Sequence, residues 1–465
     1  MHYTYLRRTS VLLAAICWNG TRLCALRTRE PMDPSKENPT LVTEELPSAV
    51  PPLAPGLPAR LFVPRTGMLR ALRHRDYRLF WTGNFLSNIG TWMHQVALGW
   101  LVLELTNSPF RLGLVGFAQF IPALLFSLPG GVIADRVNRR RWLLGTHAVM
   151  LVLALALALG VTFGVINYPA ILAIAFLLGT TSALNFPAFQ AMVRDLSSRE
   201  DLLNAIALNS MQFNASRFIG PALAGIFVST VGLASCFYLN AASFLAPLVA
   251  LGLVSYVAQS PAHTTSMGKD LLEGVHYLRA HPRILLLVSL VAMMSLFGMP
   301  YMIFLPVFAR DVLAVGATGL GYLFSASGGG ALLGAILLAG WRAEWRRGPL
   351  LLGGTLFFFG GVLLLALSRN YALSLVALVV VGAAMVCAVA TINSLLQSLV
   401  ADQVRGRVLG WHSMAYLGFS PIGSLLVGAL ADWWGTPLAL AASATAPLLV
   451  TFILLLAVPW LRHLQ

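Results

Sequence analysis

Charge is what this chain has least of. Only 10% of its 465 residues are charged, and Asp and Glu together number 17; a soluble domain carries roughly 25%. That scarcity excludes a string of ordinary soluble domains, although the length alone would allow about three. Cysteine is equally sparse. Cys17, Cys24, Cys236 and Cys387 show no metal-ligand spacing beyond the loose pair Cys17/Cys24, and no disulfide framework. No CxxC, HExxH, GxSxG or Walker pattern occurs, so no soluble-enzyme, metal or cofactor chemistry is expected. The shortage of acids leaves 31 basic residues and a net charge of +14, with a pI near 10.3. In a soluble protein that balance would indicate nucleic acid. Here the charges are too few and the apolar runs too long for a nucleic-acid partner. Hydrophobic residues make up 58% and the mean hydropathy is +0.78, which places the chain in a lipid bilayer.

Residues 1–67 differ from the rest. Up to Arg29 there are five arginines, no acid and one short apolar run, Val11 to Trp18, too short to span a bilayer. That run reads as a targeting segment or as part of a disordered or mis-started tail, with Met68 as the alternative initiator. Six prolines between Pro47 and Pro64 make an extended linker. After Met68, twelve apolar stretches recur: 79–105, 112–133, 142–163, 169–190, 203–230, 233–257, 284–309, 317–341, 349–368, 371–397, 408–431 and 436–460. Each is long enough to cross the hydrocarbon core. The predicted domains are a bundle over 68–257, a linker over 258–283 and a second bundle over 284–465. The linker reads as amphipathic or irregular (Gly268, Lys269, Asp270, Glu273, His276, Arg279).

The basic residues fall on one side of this pattern. Twenty arginines and lysines flank the spans on the face shared by both termini, against Arg111, Arg310 and Arg369 on the other. By the positive-inside tendency both termini are cytoplasmic in a multi-pass protein of the inner cell membrane. The halves also repeat. Gly131 and Asp135 recur as Gly340 and Glu344, Gln190 and Val193 as Gln397 and Val400, and Gly220 and Gly225 as Gly423 and Gly428. Offsets of 209, 207 and 203 indicate a duplicated six-helix unit.

Three features carry chemistry. Asn84, Asn88, Thr91 and Gln95 form one polar stripe along span 1, which in lipid must face protein or a water-filled cavity. Arg217 is the basic side chain placed well inside a span, and it should face the bundle interior with polar partners. It reads either as a gate residue or as a structural arginine tied to Asn88 or Asn214. Gly131, Asp135, Arg136, Arg139 and Arg140 end span 2, where a carboxylate can accept from a helix N-terminus or an arginine across the bundle. This cluster is either a conformational latch or a plain positive-inside stop.

The run Gly131…Asp135-Arg136…Arg139-Arg140 resembles the signature between helices 2 and 3 of the major facilitator superfamily. Residues Phe85 to Trp92, Leu105 to Pro109 and Asn214 to Gly225 are similar to the drug:proton antiporter group that includes enterobactin and macrolide exporters. Asn214, Arg217, Gly220, Pro221 and Gly225 resemble the antiporter motif of helix 5 but lack its adjacent glycine pair; a kink at Pro221 is expected. The resemblance implies an all-α membrane protein, with twelve transmembrane helices in two pseudo-symmetric six-helix bundles. It also implies a central cavity lined by helices 1, 4, 7 and 10, whose candidates are Thr181, Asn185, Met293, Tyr301, Thr391 and Ser394.

The cavity walls look apolar, with Trp92, Phe117, Phe120, Met293, Met294, Phe297 and Met385, and suit an amphipathic cargo. No carboxylate lies mid-membrane. His94, or Glu104 at the end of span 1, is the candidate for proton coupling, with a neutral hydrogen-bonded histidine as the alternative for His94. The expected protein is a monomeric secondary transporter that exports a small amphipathic molecule, such as a drug, siderophore or secondary metabolite, in exchange for protons. The alternatives are a lipid or lysolipid flippase and a non-transporting membrane receptor or scaffold.

Overall fold

The computed structural model describes residues 69–255, 267–340, 347–458 and 460. The tail expected over 1–67, and Arg342, Glu344 and Arg346 in the second copy of the 2–3 turn, lie outside the described residues, as does the side chain of Asp135. Among the described residues the regular structure is entirely helical.

The first half consists of α1 (Arg75–Thr106), α2 (Pro109–Arg136), α3 (Arg139–Thr162), α4 (Tyr168–Asp195), α5 (Leu202–Thr230), α6 (Leu233–Ser243) and α7 (Leu245–Leu253). The last two form one rod interrupted at Phe244. Helix α8 (Met267–Ala280) is the amphipathic segment expected in the linker, and Arg407 pairs with its Glu273. The second half starts with α9 (Pro282–Met293) and α10 (Tyr301–Val307), joined and followed by π-helical turns at Met294–Gly298 and Phe308–Val312. It continues with α11 (Gly316–Ala339), α12 (Arg347–Leu367), α13 (Tyr371–Leu399), α14 (Asp402–Trp434) and α15 (Thr436–Ala457). Among the described residues, each predicted span falls on one of these rods.

The hairpin breaks come from local chemistry. Ser108, Asn138, Asn167 and Asn370 each accept a backbone N–H three residues on, capping α2, α3, α4 and α13. Pro109 follows the cap at the first position of α2, where a missing N–H costs nothing. Ten rods are long and apolar enough to cross a membrane on composition alone. The two that are too polar for that test are α1 and α5. They hold the polar stripe and Arg217, and several of their polar residues are sheltered: Asn84, Gln212, Ser216 and Arg217 are buried, whereas Thr91 is exposed. On the outside, Val149, Val152, Leu155 and Leu159 of α3 and Leu449, Ile453 and Leu456 of α15 stand exposed at helical spacing, as lipid-facing residues do.

Successive rods run in opposite directions, so the starts of α1 and α14 share one end, here the basic end, with the ends of α2 and α4. The two halves meet along two seams, α5 against α11 and α2 against α14. Both seams run from the far end to mid-depth. Gly225 approaches Ala317 and Thr318, and Gly328 approaches Arg217, near the middle of both helices. On the other seam Gly428 approaches Phe110, and Gly418 meets Leu124, again near mid-helix. Toward the basic end contact gives out. A Cβ on Gly131 of α2, or on Gly406 or Gly410 of α14, would find nothing within 4 Å. Among the described residues the close approaches between the halves thus lie from the far end to mid-depth, and these three glycines at the basic end stand clear.

Candidate functional site at the seam between the halves

The α5–α11 seam is close because α11 carries Ser325-Ala-Ser-Gly-Gly-Gly330, small residues that let backbones approach. A Cβ on Gly328 would stand 2.6 Å from the Arg217 carbonyl oxygen. That approach brings Ser327 under the Arg217 side chain. Arg217 is 4% exposed, and its Nη2 donates to Ser327 Oγ at 2.9 Å and to the Tyr301 hydroxyl at 3.3 Å. Met302 Sδ lies 3.7 Å away, and the guanidinium sits over the Trp92 ring, 5.9 Å from its centroid. Tyr301 and Ser327 are fully buried and 2.7 Å apart.

Arg217 faces the interior, and its partners are not Asn88 or Asn214. Asn214 donates instead to Ser210 O of its own helix at 2.9 Å. The charge crosses into the other half, where two hydroxyl dipoles and a sulfur offset its burial, and the Trp92 ring of its own half covers the guanidinium. Its Nε is left without a partner. Trp92 and Tyr301, read from sequence as cavity wall, belong to this crossing. Ser327 was missed, and the small-residue run around it was the available signal.

The helix 5 motif divides between two neighbours. Gly220 lets α5 pack on α1, where a Cβ would stand 2.7 Å from Ile89 O, while Gly225 faces α11 of the other half. Pro221 lies inside a continuous helix between them.

The polar stripe satisfies itself for the most part. Asn84 Nδ2 donates to Phe80 O at 2.7 Å, Thr91 Oγ1 to Ser87 O at 2.9 Å, and Gln119 Nε2 to Gln95 Oε1 at 2.8 Å. Asn88 is half-buried. Gln95 and Gln119 border a cavity of about 20 Å³ with Gly99, Met302, Ile303 and Pro306. It has room for about one water and is far too small for a cargo. Among the other candidates, Thr181 and Thr391 donate to their own helices at Leu177 O and Cys387 O. Ser394 accepts from Arg347 at 2.9 Å, Asn185 is buried, and Met293 is half-buried at the end of α9.

His94 is buried edge-on against Phe237 of α6, with ring centroids 5.1 Å apart, and neither ring nitrogen has a hydrogen-bond partner. The hydrogen-bonded histidine read from sequence is therefore absent, because its neighbour is a phenyl ring within its own half. Glu104 is exposed at the far end and accepts from Trp100 Nε1 one turn back.

At the basic end the arginine cluster serves the first half itself. Arg139 grips Asp195 at the end of α4 through two hydrogen bonds of 3.0 and 2.8 Å. Arg140 donates to Leu251 O and Gly252 O, each at 2.7 Å, closing the last turn of α7, and Arg136 is exposed. A neighbouring group escaped the sequence reading. Asp201, before α5, accepts from Ser198 at 3.1 Å and pairs with Arg70 at 2.7 Å and His74 at 2.9 Å. The His74 hydrogen bond, more than any other neighbour, holds its carboxyl below the usual carboxylate range.

Twelve rods in two halves, joined along two small-residue seams, define a multi-pass membrane transporter of the major facilitator type. A family model described as transmembrane secretion effector matches residues 66–463, and the chain belongs to that family. The staphyloferrin A transporter of Staphylococcus aureus is 29% identical over 363 residues, covering 77% of this chain and 90% of that protein. The enterobactin exporter EntS of Escherichia coli K12 is 28% identical over 404 residues, covering 84% and 94%. Among solved structures, the nucleoside transporter NupG aligns with a TM-score of 0.65 at 12% identity, over 82% of this chain and 98% of that one. A bacterial homologue of the lysosomal transporter Spinster, in an inward-facing unoccupied conformation, gives 0.62 at 16%, over 84% and 96%. These structures share the fold. The chain is a membrane transporter of small molecules and not an enzyme.

Proposed function

We propose that the protein exports a small amphipathic molecule of the siderophore type from the cytoplasm, across the inner membrane of a bacterium, in exchange for protons. The observation that carries the reading is the one-sided cleft. The halves touch from the far end to mid-depth and part at the end where the basic residues gather. That end is cytoplasmic by the positive-inside tendency, so the cleft loads from inside. Residues 68–257 and 284–465 are the two rocking bodies of a monomer, joined by 258–283, and the Arg217 crossing is the bolt between them. Two relatives bear names that specify siderophores, which supports a cargo of that class.

The remaining stripe and cavity candidates, Asn88, Thr181, Asn185, Met293 and Ser394, lie on the helices that would border the cleft. Of the two coupling candidates His94 is the stronger. A buried ring with both nitrogens unpartnered can be supplied with water in another state, whereas Glu104 already meets solvent.

The test is accumulation of siderophores and drugs in cells that lack their own pumps, with and without a proton uncoupler. Lower accumulation that the uncoupler abolishes supports the proposal. Export that the uncoupler leaves untouched removes the antiport, and labelled lysolipid flipped in vesicles with no effect on siderophores would replace the cargo class. Wild-type pH dependence in His94→Gln and Glu104→Gln would remove both as coupling sites.

A further inference from the structure

Two ties join the halves at the far end, and each sets a charge on a helix end of the other half. Asp432, in the last turn of α14, accepts the Phe110 backbone N–H at 3.1 Å on Oδ1 and the Ser108 hydroxyl at 3.5 Å on Oδ2, at the start of α2. Arg310, in the turn after α10, donates through Nη1 to Leu103 O at 2.9 Å and to Asn107 Oδ1 at 2.8 Å, at the end of α1. The signs suit the helix dipoles: an anion on an N-terminus and a cation on a C-terminus. Gly428, one turn before Asp432, makes the approach feasible. A Cβ there would stand 3.3 Å from both Phe110 Cα and the Pro109 carbonyl oxygen.

The sequence around this tie has a twin. Helix α14 ends in Gly428-Ala-Leu-Ala-Asp432 and α2 in Gly131-Val-Ile-Ala-Asp135. These two helices lie side by side across the seam and run in opposite directions, so the twin stretches sit at opposite ends of one helix pair. One glycine is engaged and the other is free. Gly428 is packed against α2, while Gly131 faces open space, as do Gly406 and Gly410 at the start of α14.

We infer that Gly428 and Asp432, with Arg310, are the latch that holds the far end shut while the basic end stands open, and that it releases when the far end opens. The inference rests on the alternating-access reading proposed above. Because Asp432 and Arg310 are on the second half and the groups they bind on the first, a rocking motion breaks both ties together. Neither tie is deep in the bundle, so each biases the equilibrium without freezing it.

The test uses the full chain, freed of its native cysteines and reconstituted in lipid without cargo. One spin-label pair at Val165→Cys and Arg369→Cys reads the far end, and another at Leu203→Cys and Ser398→Cys reads the basic end; all four positions are exposed. Asp432→Asn is expected to raise the ratio of far-end-open to far-end-closed molecules about fivefold, the scale of one charged helix cap. Arg310→Gln shifts it the same way, and Asp432→Glu restores it. Gly428→Leu, a wedge that keeps both charges, gives the same shift and serves if the charge variants fold poorly. Distances unchanged from the wild type in Asp432→Asn, Arg310→Gln and Gly428→Leu would overturn the latch. A chain that shows the shift yet moves no siderophore keeps the latch and loses the export reading. One that exports while the variants keep wild-type distances loses the latch alone.

Discussion

Arg217 occupies the depth at which a charge is most expensive, and neutral groups offset it: the Tyr301 and Ser327 hydroxyls of the opposite half and the Trp92 ring of its own. Two hydrogen bonds from a cation, each worth about 1.5–3 kcal/mol, make it a strong buried tie across the α5–α11 seam. Arg217→Gln should fold, because glutamine removes the buried charge along with the tie. It should lower transport at least about tenfold, since a bolt of that strength sets the balance between states. Arg217→Lys should not rescue it: an ammonium cannot reach two hydroxyls and lie flat over Trp92 at once. Transport in cells expressing equal amounts of each variant checks this, and full activity in Arg217→Gln would take the residue out of the mechanism. Asp201 makes a different kind of claim. Its carboxyl is held low, chiefly by His74, so the carboxylate stabilises the folded chain above the unfolded pKa of about 3.9, and that contribution is lost as pH falls through the folded value. Asp201→Asn should therefore lower the Tm in detergent by about 2 °C near pH 7, with the gap closing only below about pH 4.

The helices were legible in the sequence because both their length and their ends are local chemistry. A run of apolar residues and a capping Ser or Asn need no knowledge of the rest of the chain, and the caps at Ser108, Asn138, Asn167 and Asn370 stand where the apolar runs begin. Which helices meet was less legible. The tandem offsets relate α2 to α11 and α5 to α14, helices of like direction in the repeat, whereas the seams pair α2 with α14 and α5 with α11. That is why Ser327 was not foreseen beside Arg217, nor Asp432 on α2. The seams predict a contrast between two glycines. Gly225→Val would place a methyl-bearing carbon 3.0 Å from the Ala317 and Thr318 carbonyl oxygens, backbone atoms that cannot turn aside. It should cost about 1–3 kcal/mol and lower the Tm. Gly131→Val meets open space in this state, so its stability should stay within about 0.5 kcal/mol of wild type. Transport should nonetheless fall if that end must close on α14, and a Gly131→Val chain with both wild-type Tm and wild-type transport would show that it need not.

For the whole molecule, the net charge of +14 becomes a statement about direction. In the sequence, twenty of the basic residues flank the spans on the side shared by both termini, three flank them on the other side, and Arg217 lies within a span. A positive rim resists crossing the membrane during insertion, and the proposed reading accordingly puts that end in the cytoplasm. On the proposed reading the basic end then opens toward the compartment where an exporter collects its cargo, while Asp432 and Arg310 tie the halves at the far end. A membrane-impermeant maleimide applied to intact cells should label Val165→Cys and Arg369→Cys at once, and should reach Leu203→Cys and Ser398→Cys only after permeabilisation. All four positions are exposed, so reactivity reports sidedness and not burial. Labelling in the reverse pattern would turn the molecule over. The same cleft would then face outward, and the chain would be placed to take up its cargo instead of expelling it.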